Sequence, residues 1–379
     1  MLLSLALALL PQTPISGNAA VQDVDTTRRT VWSRGESGYH TFRIPAVIAA
    51  PSGDLLAFCE GRKNGQSDSG DIDLVMKRSA DGGATWSENR VLWDDGDNVC
   101  GNPCPVIDAS TGTIHLLATR NLGSDKEHQI IAGTSKGTRT VWVLTSTDSG
   151  KTWSEPRDVT PTTKKPDWTW YATGPGIGIQ LVRGEHAGRL VIPCDHIEAK
   201  TKHYYSHALL SDDHGKTWRI GGRSTRHQLN ECQVAELSTG ELVMNMRNYD
   251  RAKKTRAVMR SADGGETWGK VQWDESLPDP ICQAGLVAVH ASTTGKPTDD
   301  STVLYFSNCA SESKRIRMTL RKSLDGGHTW SEGRLLHAGP SAYSCLVALH
   351  SPAQPHRIGC LFECGSKSPY ERIDWAIRP

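Results

Sequence analysis

Five copies of an eight-residue pattern, S-x-D-x-G-x-T-W, in a chain of 379 residues predict an all-β fold, and their spacing predicts a six-bladed β-propeller. The copies begin at Ser79, Ser146, Ser211, Ser261 and Ser323, a repeat of roughly 60 residues, longer than common propeller units and so with room for long loops. A second observation is what precedes each copy: a short β-prone or apolar run, such as Leu74-Val75-Met76 before Ser79 or Val141-Trp142-Val143-Leu144 before Ser146. The third is negative. No apolar periodicity of helical type persists along the chain, and Gly, Pro, Asp, Ser and Asn clusters recur too often for long helices.

Each box reads as a strand running into a turn. The Asp and Ser side chains can accept from backbone N–H groups, Gly can take a positive φ, and Thr-Trp opens the return strand with a large apolar anchor. At roughly 60 residues per four-stranded unit, six units fill the chain, with the sixth blade, which lacks a good box, drawn from the two ends. The boxes are expected on the rim away from any central site, and their Asp and Ser residues are structural rather than catalytic.

The one long apolar run, MLLSLALALL at the start, is shorter than the ~18–20 residues that span a bilayer. It is followed by Pro11, Pro14 and Gly17-Asn18-Ala19-Ala20 and, although no Lys or Arg precedes it, reads as a secretory signal over 1–20. The propeller then takes 21–379, and the protein is expected to be secreted or periplasmic, with no transmembrane anchor. Ten cysteines are an even number, so Cys100/Cys104 and Cys360/Cys364 are candidate disulfide partners in an exported chain, with connectivity open. A C-x3-C pair can also be half of a zinc site, but no Cys/His quartet follows either one and the 14 histidines contain no H-E-x-x-H. No metal and no cofactor are expected. Lys and Arg number 43 against 42 Asp and Glu, a net charge of +1, so no overall field exists to hold nucleic acid. Any anion must be held by a local cluster.

Such a cluster is visible between the boxes. Arg43 in Thr41-Phe42-Arg43-Ile44-Pro45 sits on the first predicted strand, where an arginine among apolar residues is costly without an anionic partner. Arg247 repeats the situation at the end of Leu242-Val243-Met244-Asn245-Met246, and Arg315 leads into the fifth box. Three arginines on three blades can converge on the axis and grip one carboxylate. Gly174-Pro175-Gly176-Ile177-Gly178 lacks the spacing and context of a nucleotide loop and reads as a tight pocket loop.

Phe42-Arg43-Ile44-Pro45, then Glu60-Gly61-Arg62, then five Asp boxes resemble the sialidase (neuraminidase) family of exoglycosidases, in its non-viral branch, over nearly all of the chain past the leader. The resemblance implies a retaining exo-α-sialidase acting on sialylated glycans, glycoproteins or glycolipids. Arg43, Arg247 and Arg315 would hold the substrate carboxylate, with Arg317 a weaker alternative to Arg315. Beside that carboxylate an acidic nucleophile would be repelled, which accounts for a tyrosine nucleophile in this family; Tyr343, in Gly339-Pro340-Ser341-Ala342-Tyr343-Ser344, matches its motif and Glu231 matches its base. Asp68 would be the acid/base, with Asp71 and Asp73 as rivals. Arg62 would face the 4-hydroxyl, and Glu371 would brace Arg43. Cys59 and Cys309 depart from the family pattern. Transfer of sialic acid within or between molecules on the same site, or a non-catalytic glycan-binding propeller, are the alternatives; the presence of every chemical residue argues against the last.

Overall fold

The computed structural model describes residues 28–292, 300–349 and 357–378, and the expected leader over 1–20 lies outside them. The described residues form six blades of antiparallel strands. The first blade is Thr41–Ala49, Leu55–Arg62, Ile72–Ser79 and Arg90–Trp93; the second is Val99–Asp108, Thr113–Asn121, Thr140–Ser146 and Arg157–Asp158. The third has Trp168–Thr173 and the short Ile179–Gln180 on its inner side, then Leu190–Glu198, Tyr204–Ser211 and Arg219–Arg223. Leu229–Glu236, Leu242–Asn248, Thr255–Ser261 and Gln272–Pro278 make the fourth. The fifth is Gly285–Ser292, Asp300–Cys309, Ile316–Ser323 and the first part of the long strand Arg334–Leu349, whose second part opens the sixth blade with Arg357–Cys364 and Arg372–Arg378. A strand ahead of the one expected to be first, Arg28–Ser33, completes that sixth blade by pairing with Arg372–Arg378. The ring is therefore closed by the two ends of the chain, as the missing sixth box required.

The boxes are hairpin turns between the third and fourth strands of five blades. In the first box Ser79 Oγ accepts from Gly83 N at 2.7 Å and donates to Asp81, whose carboxylate accepts from Thr85 N at 2.9 Å and Thr85 Oγ1 at 2.6 Å. The boxes also join blades. Trp86 packs edge-on against Trp375 of the sixth blade and Trp153 against Phe58 of the first, at centroid distances of 5.8 Å each. Gly83 is fixed by that contact: its φ is +92°, and a Cβ there would stand 2.0 Å from the Trp375 indole nitrogen.

All ten cysteines are free thiols buried in strands or beside them, so the disulfides expected at Cys100/Cys104 and Cys360/Cys364 are not formed. The reason is local: both pairs lie along single extended strands, Val99–Asp108 and Arg357–Cys364, and fill the core as small apolar groups. Cys59 and Cys309 are equally buried, Cys309 directly beneath Ser341 and Ala342. No helix among the described residues is long and apolar enough to cross a membrane.

Candidate active site

Strand direction puts chemistry and boxes at opposite ends. Inner strands begin, and second strands finish, at one end of the ring, while the third strands run away from it, five of them into a box. At the first end the inner strands are bulged at one level. Register slips fall between Arg43 and Ala46, Gly101 and Cys104, Leu229 and Cys232, and Ser341 and Ser344. Ile44 and Asn102, inside two of these bulges, have φ of 60° and 53°. A bulge bends the strand and re-aims a side chain. Here the re-aimed set includes Arg43, Asn102, Glu231 and Tyr343, which line one cavity of about 300 Å³.

At its floor the Tyr343 hydroxyl donates to Glu231 Oε1 at 2.5 Å. Arg247 Nη1 donates to Glu231 Oε2 at 2.6 Å and to the Tyr343 oxygen at 2.9 Å, while its Nη2 reaches the Tyr249 hydroxyl at 2.7 Å. The guanidinium carbons of Arg43 and Arg315 stand 5.1 and 5.6 Å from the Tyr343 ring centroid. Three arginines thus surround one phenol. Burial, then the Glu231 charge, hold the Tyr343 hydroxyl well above the usual phenol range against the pull of the three arginines. The resting phenol is neutral, with a carboxylate in place to receive its proton.

Arg315 is further held by the Tyr370 hydroxyl at 2.8 Å and the Ile281 carbonyl at 3.0 Å, whereas Arg317 is exposed and outside the cavity lining. Asp68 lies on the loop after Leu55–Arg62, its carboxylate 2.6 Å from Arg62 Nη2 and its side chain 52% exposed. Arg62 also donates to Glu60 Oε2 on its own strand and to the Gln66 carbonyl on the loop that follows. Desolvation opposes ionisation of Asp68 but is outweighed by Arg62, then Arg43 and Arg139, which hold it below the usual carboxylate range. Its rivals are elsewhere: Asp71 and Asp73 bind Lys63 at 2.9 and 3.2 Å, outside the cavity lining.

Glu371 does not brace Arg43. Its carboxylate caps an exposed turn, accepting from the backbone N–H groups of Ser366, Lys367 and Ser368. The brace is Glu363, whose side chain is fully buried: Oε1 accepts from Arg43 Nε and Ile44 N, both at 2.8 Å, and Oε2 accepts from Tyr343 N at 3.0 Å. One carboxylate therefore positions both a clamp arginine and the phenol. Sequence reasoning passed over Glu363, yet Leu361-Phe362-Glu363-Cys364 carries the same signal as Arg43, a charge in an apolar strand. Asp195, in Val191-Ile192-Pro193-Cys194-Asp195, carries it too. Arg139, Trp170, Tyr204, Asn230, Tyr249 and Tyr370 also line the cavity and had no sequence signal beyond their type. The Gly174–Gly178 segment is not a wall of this cavity. It fills the axis one level below, where the Pro175 carbonyl accepts from Gln233 and Gln283 at 3.1 and 3.0 Å.

Residues 53–353 match the family model of the BNR repeat-like domain. The chain is 34% identical over 362 residues to a sialidase of Micromonospora viridifaciens, covering 92% of this chain and 54% of the relative. It is 30% identical over 369 residues to an exo-alpha-sialidase of Aspergillus fumigatus, covering 89% of this chain and 84% of that one. A solved Hadza microbial sialidase superimposes with a TM-score of 0.81 at 31% identity, covering 92% of this chain and 68% of its own. The chain thus spans only about half the length of the bacterial relative but most of the fungal one. With the bulged ring, the three convergent arginines and these relatives in view, the chain belongs to the sialidase family.

Proposed function

We propose that the protein is a retaining exo-α-sialidase that removes terminal sialic acids from glycoconjugates. The observation that carries the reading is the Tyr343 hydroxyl hydrogen-bonded at 2.5 Å to Glu231 inside a ring of Arg43, Arg247 and Arg315. The arginines receive the carboxylate borne by the anomeric carbon. Tyr343 Oη attacks that carbon as its proton passes to Glu231 Oε1 and the bond to the leaving oxygen breaks, with Asp68 supplying a proton to that oxygen. Water then attacks the sialyl-tyrosine, giving its proton to Asp68, and the tyrosine recovers its own proton from Glu231. Arg62 faces the sugar beside Asp68, and Glu363 keeps Arg43 and the Tyr343 backbone in register.

A fluorinated sialic acid that slows breakdown of the intermediate, followed by peptide mapping, tests the assignment. Label is expected on Tyr343, and label on another residue overturns it. Release of fluorophore from 4-methylumbelliferyl α-N-acetylneuraminic acid should fall by orders of magnitude in Tyr343→Phe and in Arg247→Ala.

A further inference from the structure

Two thiols lie behind the arginine clamp and take no part in the chemistry above. Cys309, at one of the positions that depart from the family pattern, ends the second strand of the fifth blade, and Cys282 lies on the loop that enters that blade between Pro278 and Gly285. Both are buried in one cluster with Ile44, Ala342 and Tyr343, and their side chains are hydrogen-bonded to each other. Each is tied to a working part of the site. Cys309 Sγ donates to the Ser341 carbonyl at 3.1 Å and lies 3.4 Å from the Ala342 carbonyl, inside the bulge that aims Tyr343. Cys282 follows Ile281, which has a φ of 60° and whose carbonyl holds Arg315 Nη2 at 3.0 Å. Arg43 and Arg247 have carboxylate partners, Glu363 and Glu231, whereas Arg315 is held by neutral groups, the Tyr370 hydroxyl and that carbonyl. The third arm of the clamp therefore depends on where the loop carrying Cys282 sits.

The two thiols are unequal. Cys282 is 2% exposed and stands beside Arg315, which lines the cavity; Cys309 has no exposure. Burial opposes ionisation of Cys282, but the Cys309 thiol, Arg315 and Arg247 outweigh it and hold Cys282 below the usual thiol range, while burial holds Cys309 well above it. A nucleophilic thiol in contact with a second thiol is the arrangement that oxidises to a disulfide. We propose that Cys282 and Cys309 form a redox switch, in which a peroxide converts them to a disulfide that disables the clamp and a thiol reductant restores it. The Cys282 thiolate attacks one peroxide oxygen, the O–O bond breaks, and the departing hydroxide takes up the proton that Cys282 gave up, leaving a sulfenic acid. The Cys309 sulfur then attacks the Cys282 sulfur, and the hydroxyl leaves as water with the Cys309 proton. Two thiols are oxidised and one peroxide is reduced to two waters. The sulfurs close to about 2.05 Å. Cys309 is fixed by the pairing of its strand with Ile316–Ser323, so the loop moves, drawing the Ile281 carbonyl from Arg315, and the Ser341 carbonyl loses its donor.

The inference rests on the sialidase reading for its activity readout, and peptide mapping keeps the two apart. Reduced wild type, Cys282→Ala and Cys282→Ser are treated with hydrogen peroxide, quenched with catalase, and divided between kinetics on 4-methylumbelliferyl α-N-acetylneuraminic acid and non-reducing peptide mapping. A shift on the order of 1 Å beside a reacting group costs about 10²-fold, so oxidised wild type should lose at least about tenfold in kcat/KM. It should yield a peptide linked through Cys282 and Cys309, and dithiothreitol should reverse both changes. In each variant the activity of the peroxide-treated protein should be the same before and after dithiothreitol. Wild-type activity that peroxide leaves unchanged, or a loss that dithiothreitol does not reverse, overturns the inference. Absence of the linked peptide overturns it whether or not the variants fold, as does the same reversible loss in a folded variant. No turnover by reduced wild type defeats the sialidase reading, and the linked peptide then still decides the disulfide.

Discussion

Replacing Glu363 by Gln, with Glu371→Gln beside it, tests the organisation of the site most directly. Glu363 has no solvent exposure and receives three donors, two on Oε1 and one on Oε2. An amide keeps the shape but has one acceptor end. The cheaper orientation leaves its carbonyl on Arg43 and Ile44 and turns its NH2 group against the Tyr343 N–H, donor against donor. Deleting one partner of a buried ion pair costs about 3–5 kcal/mol, and the isosteric amide, which still accepts from Arg43, should lose about 2–4 kcal/mol of stability. Catalysis should suffer separately, because the displaced backbone is the one carrying the phenol that sits 2.5 Å from Glu231. A shift on the order of 1 Å at a reacting group costs about 10²-fold in kcat. Glu371→Gln alters an exposed turn and should leave kcat within about threefold of wild type. The assays are steady-state kinetics on a fluorogenic sialoside and thermal unfolding by circular dichroism. A kcat loss in Glu371→Gln equal to or larger than that in Glu363→Gln refutes the argument.

Four further outcomes follow from the same structure. His196 and His207 are fully buried, joined Nδ1 to Nδ1 at 3.1 Å, and burial lowers both, His207 to about 3; because the unfolded imidazoles protonate near 6.5, stability is lost as pH falls below that value, by roughly 3 kcal/mol at pH 4.5 from His207 alone, and a chemical-denaturation midpoint that is flat from pH 7 to 4.5 would contradict this. Gly83→Ala places a Cβ 2.0 Å from Trp375 at a φ of +92°, so it should lower stability by about 2–4 kcal/mol with little effect on KM, read by urea unfolding and kinetics. Ten free thiols predict that dithiothreitol leaves the melting temperature unchanged; a large drop would reveal a disulfide. Arg62 and its neighbours hold Asp68 ionised, so kcat/KM on a poor leaving group such as a sialyl-lactose should fall as pH rises from about 4 to 7, and fall less for the 4-methylumbelliferyl glycoside, which needs little acid help; equal profiles would remove Asp68 from the role of acid.

The parts of the fold legible in the sequence were those written in local rules. A box such as Ser79 to Trp86 closes on itself through Ser79 and Asp81, so a single eight-residue window specifies it. Five windows at a common spacing then set the blade count. What a window cannot show is the partner on another blade, and so the inter-blade contact of Trp86 with Trp375 had no sequence counterpart. The same distinction separates the site residues that the local sequence brings forward from the one it hides. Arg43 and Arg247 stand out as charges in apolar strands and Tyr343 by its resemblance to a family motif, whereas the brace of Arg43 comes from 320 positions along the chain.

Glu371 and Glu363 show why resemblance to a late acidic residue is a weaker guide than burial. Both are late acidic residues of the sixth blade, eight positions apart in chain order. Glu371 stands in a polar loop, where carboxylates satisfy backbone N–H groups at little cost, and that is what it does. Glu363 stands between Phe362 and Cys364 in a fully buried strand segment, where an unpaired carboxylate would be prohibitive. Burial therefore obliges Glu363 to have a cationic partner, and the bulges bring Arg43 and the Tyr343 amide to it. The residue whose placement costs most in isolation is the one the site depends on, and that cost can be read from its neighbours in the chain before any partner is known.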